Sequence, residues 1–437
     1  MIYQLFTLGL RARPIRKLML GMKKIPSKMQ IVGMLREWHE KDYIFQNASV
    51  NLLGHSTLDN FRIICESYHF QNPILITDPI LIKTGVVQKV INQLKKNDIK
   101  YAIYEGVQPN PSTEVVNYLV EEYRKNKCDA LISIGGGSAH DSAKAACLVL
   151  SNKNDNIYQY QGLNVTKNAP AMPLIAINTT AGTGSGVTNV AVITDEVNHF
   201  KMTLVDKNIQ PNVMVDDSNL MMGLPPRPTS WVGIDTLVHA IEADLSNVPS
   251  LFTKAYVRQA MHLVYKYLPI AYATPNNIEA REKMAYAEFM AGVAFNSASL
   301  GFIHSMSHAM SGVFNTPHGL ANAVIMPYVL DYELSNDFVV QKLCKINDYM
   351  GIDNKSTDDY NKAKGCVKGI IELLKKLDIP TNLNDVQKGI TQEKIKEMSI
   401  KAMKDFCGIS NPIQFNRRQI VHIYENAVAG KFDHIDR

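Results

Sequence analysis

The stretch DALISIGGGSAHDSAKAACLVL, residues 129–150, contains a strand, a glycine turn and a helix in one continuous unit. Its apolar run predicts a buried strand, and the pattern from about Ala139 predicts a helix. In the turn, glycines let backbone N–H groups approach a pyrophosphate at the positive end of the helix. Gly136, Gly137 and Ser138 are therefore candidate cofactor-binding residues, and a tight turn without a ligand is the alternative.

Strand and helix patterns alternate on both sides of this unit. Strands are predicted at 73–78 and 99–107, and another begins at 173 and ends in a loop of small residues; helices are predicted at 86–97 and 112–127. A further strand at 190–195 is expected to pair antiparallel. This alternation predicts a mostly parallel sheet with helices on both faces.

After about Pro225 helical periodicity replaces the strands. The helical stretches are 231–246, 250–268, 278–298, 337–350, 361–376, 391–406 and 417–429. We therefore expect three segments: an N-terminal extension at 1–50, an α/β domain at 51–224 and an all-α domain at 225–437.

Composition excludes several classes of protein. The net charge of +5 over 437 residues gives no case for a nucleic-acid partner. The six cysteines are scattered without a CxxC pair, which favours reduced thiols in a cytoplasmic enzyme over a disulfide framework. No run of about 18 apolar residues predicts a membrane span.

The N-terminal extension is basic and carries no acidic residue before Glu37. We expect a surface extension that packs on the protein body. A basic amphipathic helix on a membrane surface and an organelle transit peptide remain alternatives. The basic residues of positions 1–36 are Arg11, Arg13, Arg16, Lys17, Lys23, Lys24, Lys28 and Arg36.

Two further features of the α/β region point to a nucleotide. Asp78 ends a predicted strand, where its carboxylate can accept from a ribose hydroxyl and would repel a 2′-phosphate, favouring NAD over NADP. An Asp that caps a turn is the alternative. The loop after the strand at 173 offers hydroxyls and backbone donors at the sheet edge where such folds bind ligands, through Thr179, Thr180, Thr183 and Ser185.

The helical region carries a candidate metal site in GIDTLVHAIEAD (233–244) and GFIHSMSHAMSGVFNTPHG (301–319). Asp235 and His239 are four residues apart, so they share one helix face. His304 and His308 repeat this spacing on a second helix, which runs into a turn that contains His318. A carboxylate with several imidazoles is a ligand set for a divalent transition metal.

Together, the motifs GGGSAHDSAK (135–144), TTAGTGS (179–185), GIDTLVHAIEA (233–243) and HSMSHAMSGVFNTPHG (304–319) resemble the iron-containing (type III) alcohol dehydrogenase family. The resemblance runs from about residue 50 to 430. It implies a dehydroquinate-synthase-like architecture, with an NAD-binding α/β domain followed by a helical metal-binding domain.

The resemblance also implies residue roles. Its metal ligands fall on Asp235, His239, His304 and His318. Its catalytic region falls on Asp141, near the nicotinamide, and on His308, which is suited to relay the hydroxyl proton. Asn110 and Lys201 match further cofactor-proximal positions. One departure is Gly186, which stands where the family commonly has Glu.

The function expected from these residues is an NAD-linked, metal-dependent dehydrogenase. It would interconvert short primary alcohols or diols and their aldehydes, with Fe²⁺ or alternatively Zn²⁺, and with NAD(H) favoured over NADP(H). A homodimer is the default assembly. Alternatives are a dehydroquinate-synthase or glycerol-dehydrogenase-like enzyme of the same superfamily and a non-redox metal hydrolase.

Overall fold

The computed structural model describes residues 47, 50–152, 154–166, 169–170, 172–197, 200–354 and 356–436. Apart from residues 47 and 50, the N-terminal extension, with the membrane-surface and targeting roles considered for it, lies outside these residues. The described chain forms two compact units, which divide in sequence between Met222 and Gly223. None of the described helices is long and apolar enough to cross a membrane.

The first unit is built on a six-stranded sheet whose paired strands all run parallel. Its order is β1-β9-β6-β4-β2-β3. The strands are β1 (Val50–Gly54), β2 (Pro73–Ile76), β3 (Ala102–Tyr104), β4 (Ala130–Gly135), β6 (Leu174–Asn178) and β9 (Val213–Asp217). The predicted parallel sheet is confirmed.

Helices cover both faces of this sheet, and alternation along the strands shows why. In β2, Ile74 and Ile76 pack into one apolar cluster with α4 and α5, while Leu75 packs into another with α1 and α3. Successive residues of a strand point to opposite faces, so a strand covered on both faces is apolar throughout. The helices are α1 (Phe61–Tyr68), α2 (Pro79–Lys83), α3 (Val86–Lys96), α4 (Thr113–Lys125) and α5 (Gly137–Ser151).

A smaller sheet completes the first unit. It contains β5 (Gly162–Leu163), β7 (Val190–Asp195) and β8 (Phe200–Val205) in the order β5-β8-β7. β7 pairs antiparallel with β8, which confirms the expected antiparallel strand.

Between Gly223 and Asp436 the described residues form helices and no strand. Most of the predicted helical stretches correspond to these elements, although α6 starts five residues earlier than expected. The helices are α6 (Pro226–Leu245), α7 (Leu251–Ala273), α8 (Ile278–Ala298), α9 (Phe302–Phe314), α10 (His318–Glu333), α11 (Asp337–Met350), α12 (Asp359–Lys376), α13 (Leu383–Val386), α14 (Gln392–Lys404) and α15 (Arg417–Ala429).

Helix α10 is one of the elements that sequence patterns did not predict. The sequence suggested a turn at His318, but this residue opens the helix, directly after Pro317 at the N-cap. Every residue from Ala321 to Asp331 is buried, so no polar face marks a helical period. α6 is likewise buried on most sides over its last three turns. Two of the helices that carry metal-ligand candidates are therefore central helices of this unit.

Candidate metal centre and cofactor loops

Asp235, His239, His304 and His318 lie together in the helical unit. Asp235 and His239 come from α6, His304 from α9, and His318 from the first residue of α10. The Nε2 atoms of His318, His304 and His239 lie 3.5, 3.8 and 3.9 Å from Asp235 Oδ1. One donor atom from each of the four side chains lies within 4.8 Å of all the others.

Burial and electrostatics at this cluster suit a divalent cation. Burial lowers the pKa of His304 well below its ordinary value, which keeps the imidazole neutral and its lone pair available to a metal. Burial also raises the pKa of Asp235, because removing a carboxylate from water disfavours its charged form, and the charge of His239 and the hydrogen bond from Asn322 offset this only in part. One carboxylate and three imidazoles fit Fe²⁺ or Zn²⁺.

The cluster is open on one side. The side chains of Asp235 and His304 are 2% and 1% exposed, whereas that of His318 is 31% exposed. An open position is the feature that separates catalytic metal sites from closed structural ones.

Two residues that the sequence analysis missed hold the candidate ligands. Asn322 Nδ2 donates to Asp235 Oδ1 at 2.6 Å and lies 3.1 Å from His318 Nε2. Glu242 Oε2 lies 2.5 Å from His304 Nδ1. Helical spacing could have placed both residues on the helix faces of candidate ligands, since Asn322 follows His318 by four residues and Glu242 follows His239 by three. The contact of Glu242 with His304 joins two helices, so spacing does not predict it.

His308 lies beside the cluster and is paired with a carboxylate. Its ring stacks on that of His318 with centroids 5.1 Å apart. Its Nδ1 donates to Asp405 Oδ2 at 2.9 Å, and Asp405 Oδ1 accepts from Cys407 N at 2.8 Å. Burial raises the pKa of Asp405, but the charge and hydrogen bond of His308 together with the hydrogen bonds from Cys407 outweigh it, so this pKa lies below its ordinary value.

In the α/β unit, the two predicted cofactor loops lie against each other. Gly135 ends β4 opposite Asn178 at the end of β6. A Cβ atom on Gly136 would lie 2.7 Å from Thr180 Oγ1, and one on Gly137 would lie 2.9 Å from Thr183 Cγ2. The glycines are thus required by the close approach of the loops, and Gly136, Gly137 and Ser138 stay partly exposed. Thr179 is buried, and its backbone N–H donates to Gly135 O at 3.0 Å.

Asp141 and Ser185 belong to an internal hydrogen-bond network. Ser185 Oγ donates to Asp141 Oδ1 at 2.7 Å and accepts from the buried Lys144 Nζ at 2.9 Å. Asp141 Oδ2 also accepts from Val192 N at 3.0 Å. Burial raises the pKa of Asp141, while the Lys144 charge acts in the opposite direction. These contacts join the helix after the glycine turn to the second loop.

The remaining cofactor candidates are Lys201 and Asn110, which contact each other, and Asp78, which caps a helix. Lys201 Nζ donates to Asn110 Oδ1 at 2.7 Å, and burial lowers the pKa of Lys201 to about 8. Asp78 is the N-cap of α2, where Oδ1 accepts from Ile80 N at 2.8 Å and Leu81 N at 3.0 Å. The sequence left a capping role open for Asp78 as the alternative to ribose binding, and its Oδ1 atom fills that capping role.

Gly186, which stands where the family commonly has Glu, lies close to the Met214 side chain. Gly186 is buried, and a Cβ atom on it would lie 3.1 Å from Cε of Met214. A glutamate there would need Met214 to move.

Comparisons with known proteins match most of the chain. Residues 49–218 match the model described as iron-containing alcohol dehydrogenase, and residues 229–428 match the C-terminal model of the Fe-containing alcohol dehydrogenase family. Alcohol dehydrogenase 4 of Schizosaccharomyces pombe is 38% identical over 384 residues, covering 88% of this chain and 89% of that protein. The NAD-dependent methanol dehydrogenase of Bacillus methanolicus is 38% identical, covering 81% of this chain and 92% of that one.

A solved structure agrees with these sequence relatives. The crystal structure of a 1,3-propanediol oxidoreductase superimposes with a TM-score of 0.85 at 34% identity, and covers 89% of this chain and all of that one. The resemblance and the two-part fold expected from the sequence are confirmed. The relatives do not favour the dehydroquinate-synthase-like alternative.

Proposed function

Because this chain belongs to the iron-containing alcohol dehydrogenase family, we propose that its own substrates are short primary alcohols or diols and the corresponding aldehydes. Members of this family use iron and NAD to interconvert alcohols and aldehydes. The observation that carries the proposal is the cluster of Asp235, His239, His304 and His318, whose donor atoms converge at one open and otherwise buried point. Relatives named for methanol and for 1,3-propanediol support small substrates.

In this proposal the four clustered side chains hold the metal ion, through Asp235 Oδ1 and the three imidazole Nε2 atoms. When bound, a divalent ion would polarise the substrate oxygen, and a nicotinamide would supply the hydride donor or acceptor. The exposed side of His318 is the side on which a small substrate enters. Iron is the proposed ion, and the same ligands also suit zinc.

His308 is the proposed proton carrier. Asp405 accepts from Nδ1, which places the lone pair of neutral His308 on Nε2. That atom takes the hydroxyl proton during oxidation and returns it during reduction. Asp405 acts through His308 as a positioning residue.

The α/β unit is proposed to hold NAD(H). Backbone N–H groups of Gly136, Gly137 and Ser138 are placed at the start of α5, whose N-cap has no side-chain hydrogen bond, and so suit a pyrophosphate. Thr180 and Thr183 border this turn, and Lys201 with Asn110 adds a positive charge that favours an anionic cofactor. The Asp78 carboxylate disfavours a 2′-phosphate, so NAD is preferred to NADP.

The setting of the enzyme is also part of the proposal. All six cysteines are free, which supports a cytoplasmic location. A homodimer is the expected assembly, and sedimentation of the purified chain measures it.

The experiment is a substrate screen with purified full-length protein reconstituted with Fe²⁺ under anaerobic conditions. NADH consumption is followed with formaldehyde, propanal, 3-hydroxypropanal and lactaldehyde, and each assay is repeated with NADPH and with an Asp235→Ala control. We expect turnover of at least one aldehyde, faster with NADH and lost in the control. Absence of turnover across the panel contradicts the proposal.

A further inference from the structure

We propose that Glu242 is a positioning residue that fixes both the place and the ring tautomer of His304. The inference rests on the metal centre proposed above, and it concerns a residue outside the ligand set. Glu242 is 3% exposed and lies on α6, one turn beyond His239. It therefore joins the helix that carries two candidate ligands to the helix that carries a third.

The contacts of Glu242 converge on the start of α9. Oε1 accepts from the backbone N–H of Ile303 at 2.6 Å and lies 3.4 Å from that of His304. Oε2 lies 2.5 Å from Nδ1 of the His304 ring. One carboxylate thus satisfies backbone donors at the positive end of a helix and also contacts the side chain of the ligand.

The approach of Asn411 and Glu242 requires a glycine before the helix. A Cβ atom on Gly301, the N-cap of α9, would lie 2.4 Å from Asn411 Oδ1 and 2.7 Å from Glu242 Oε1. The backbone N–H of Phe302 donates instead to Asn411 Oδ1 at 3.0 Å. The first turn of α9 is therefore held by side chains from distant parts of the sequence, and His304 is fixed within that turn.

Tautomer chemistry gives the contact its consequence. The Nε2 atom of His304 faces Asp235, so binding a metal there uses the Nε2 lone pair. The single ring proton of neutral imidazole is then on Nδ1, which donates to Glu242 Oε2. A carboxylate accepts at both oxygens, so it can accept from the helix backbone and from this ring proton simultaneously.

A glutamine at 242 reverses this arrangement. Only its oxygen can accept from the α9 backbone, so its NH₂ group faces His304 Nδ1. Nδ1 must then accept, which moves the ring proton to Nε2 and blocks the atom that binds metal. Glu242→Gln therefore keeps the helix cap and removes the required tautomer.

Glu333 provides a matched control. It is another buried carboxylate in the same unit, and its Oε1 accepts from Asn411 Nδ2 at 2.5 Å. A glutamine oxygen can replace that acceptor. Glu333→Gln makes the same chemical change without touching a candidate ligand.

The experiment measures Zn²⁺ affinity of the full chain by competition with a chromophoric chelator, so it does not depend on activity. The variants are Glu242→Gln, Glu333→Gln and His304→Ala, with circular dichroism of each metal-free protein as the test of folding. Loss of an outer contact to a ligand typically weakens metal binding about 10- to 100-fold, and we expect this range for Glu242→Gln, against less than about threefold for Glu333→Gln. His304→Ala is expected to lose the ion.

The results for these variants separate the role of Glu242 from the metal centre itself. A folded Glu242→Gln protein with the affinity of the unmodified chain, beside a His304→Ala variant that loses zinc, overturns the role of Glu242 and leaves the metal centre intact. Retention of zinc by His304→Ala overturns the metal centre and this inference with it.

Should Glu242→Gln fail to fold, the unmodified chain still tests the inference. NMR of zinc-loaded protein labelled with ¹⁵N-histidine is expected to show His304 protonated at Nδ1, with a strongly downfield proton. A ring proton on Nε2 overturns the proposal.

Discussion

Replacing Asp405 by Asn isolates the proposed orientation of His308 from metal binding. The amide keeps one accepting oxygen, which remains with Cys407 N, the 2.8 Å donor. In the unmodified chain, His308 Nδ1 lies 2.9 Å from Asp405 Oδ2. In the variant, the amide NH₂ group faces Nδ1 instead, so the ring proton of His308 moves to Nε2. A charge-assisted hydrogen bond contributes about 1.5–3 kcal/mol, and about 1.4 kcal/mol is tenfold in rate, so kcat should fall about 10- to 100-fold.

The assay is steady-state alcohol oxidation by metal-saturated protein, with metal content measured on each sample. His308→Ala removes the proton carrier altogether and should lower kcat by about 10²- to 10⁴-fold, with partial recovery on adding imidazole. The double variant should be no slower than His308→Ala, because Asp405 acts only through His308. Ser305→Ala is the control, since it removes only the 3.3 Å donor to Asp405 Oδ1. A kcat for Asp405→Asn equal to that of Ser305→Ala, or a double variant much slower than His308→Ala, would refute the reasoning.

Three further predictions concern the loops and α9. Gly136→Ala places a Cβ atom 2.7 Å from Thr180 Oγ1 and should weaken NADH binding about tenfold in a fluorescence titration. Adding Thr180→Gly should restore part of the affinity, and unchanged binding by Gly136→Ala contradicts the prediction. Gly301→Ala should lower the free energy of unfolding, measured in urea, by about 1–3 kcal/mol. The control is Gly312→Ala in α9, whose Cβ atom meets open space and should not lower this free energy. Equal effects of the two variants would exclude a steric cause. The pKa of Lys201 is about 8, so the charge that favours NADH is present below pH 8 and lost above it. The NADH dissociation constant should rise by up to about tenfold per pH unit above 8, and this rise should be absent in Lys201→Met; a rise that persists in that variant rules Lys201 out.

The sequence was most informative where a motif is local. The glycine turn at 135–137 could be predicted because its strand, turn and helix are adjacent in the chain. The small residues of the turn also allow the two cofactor loops to approach each other. Asp235 and His239 share a helix face through a spacing of four residues, which is visible without a structure. The parallel sheet followed from alternation of strands and helices alone.

The features that were missed depend on burial or on distance along the chain. α10 has an almost wholly buried surface and therefore no polar face, and its Pro327 further obscures a helical pattern. Asp405 reaches His308 across 97 residues, and Glu242 reaches His304 across 62. Such pairs are set by helix packing, and no spacing rule within one element can predict them. Asp78 shows the converse, since its carboxylate forms the local cap that the turn pattern predicted, whereas its contact with a ribose stays a proposal.

The most direct test of the central claim is to locate the ion. Crystals of the full chain loaded with Fe²⁺ under anaerobic conditions, measured on both sides of the iron absorption edge, give an anomalous difference map. We expect one strong peak, at about 2.0–2.2 Å from Asp235 Oδ1 and from the Nε2 atoms of His239, His304 and His318. A peak elsewhere, or iron-loaded crystals without a peak at these four side chains, would contradict the account.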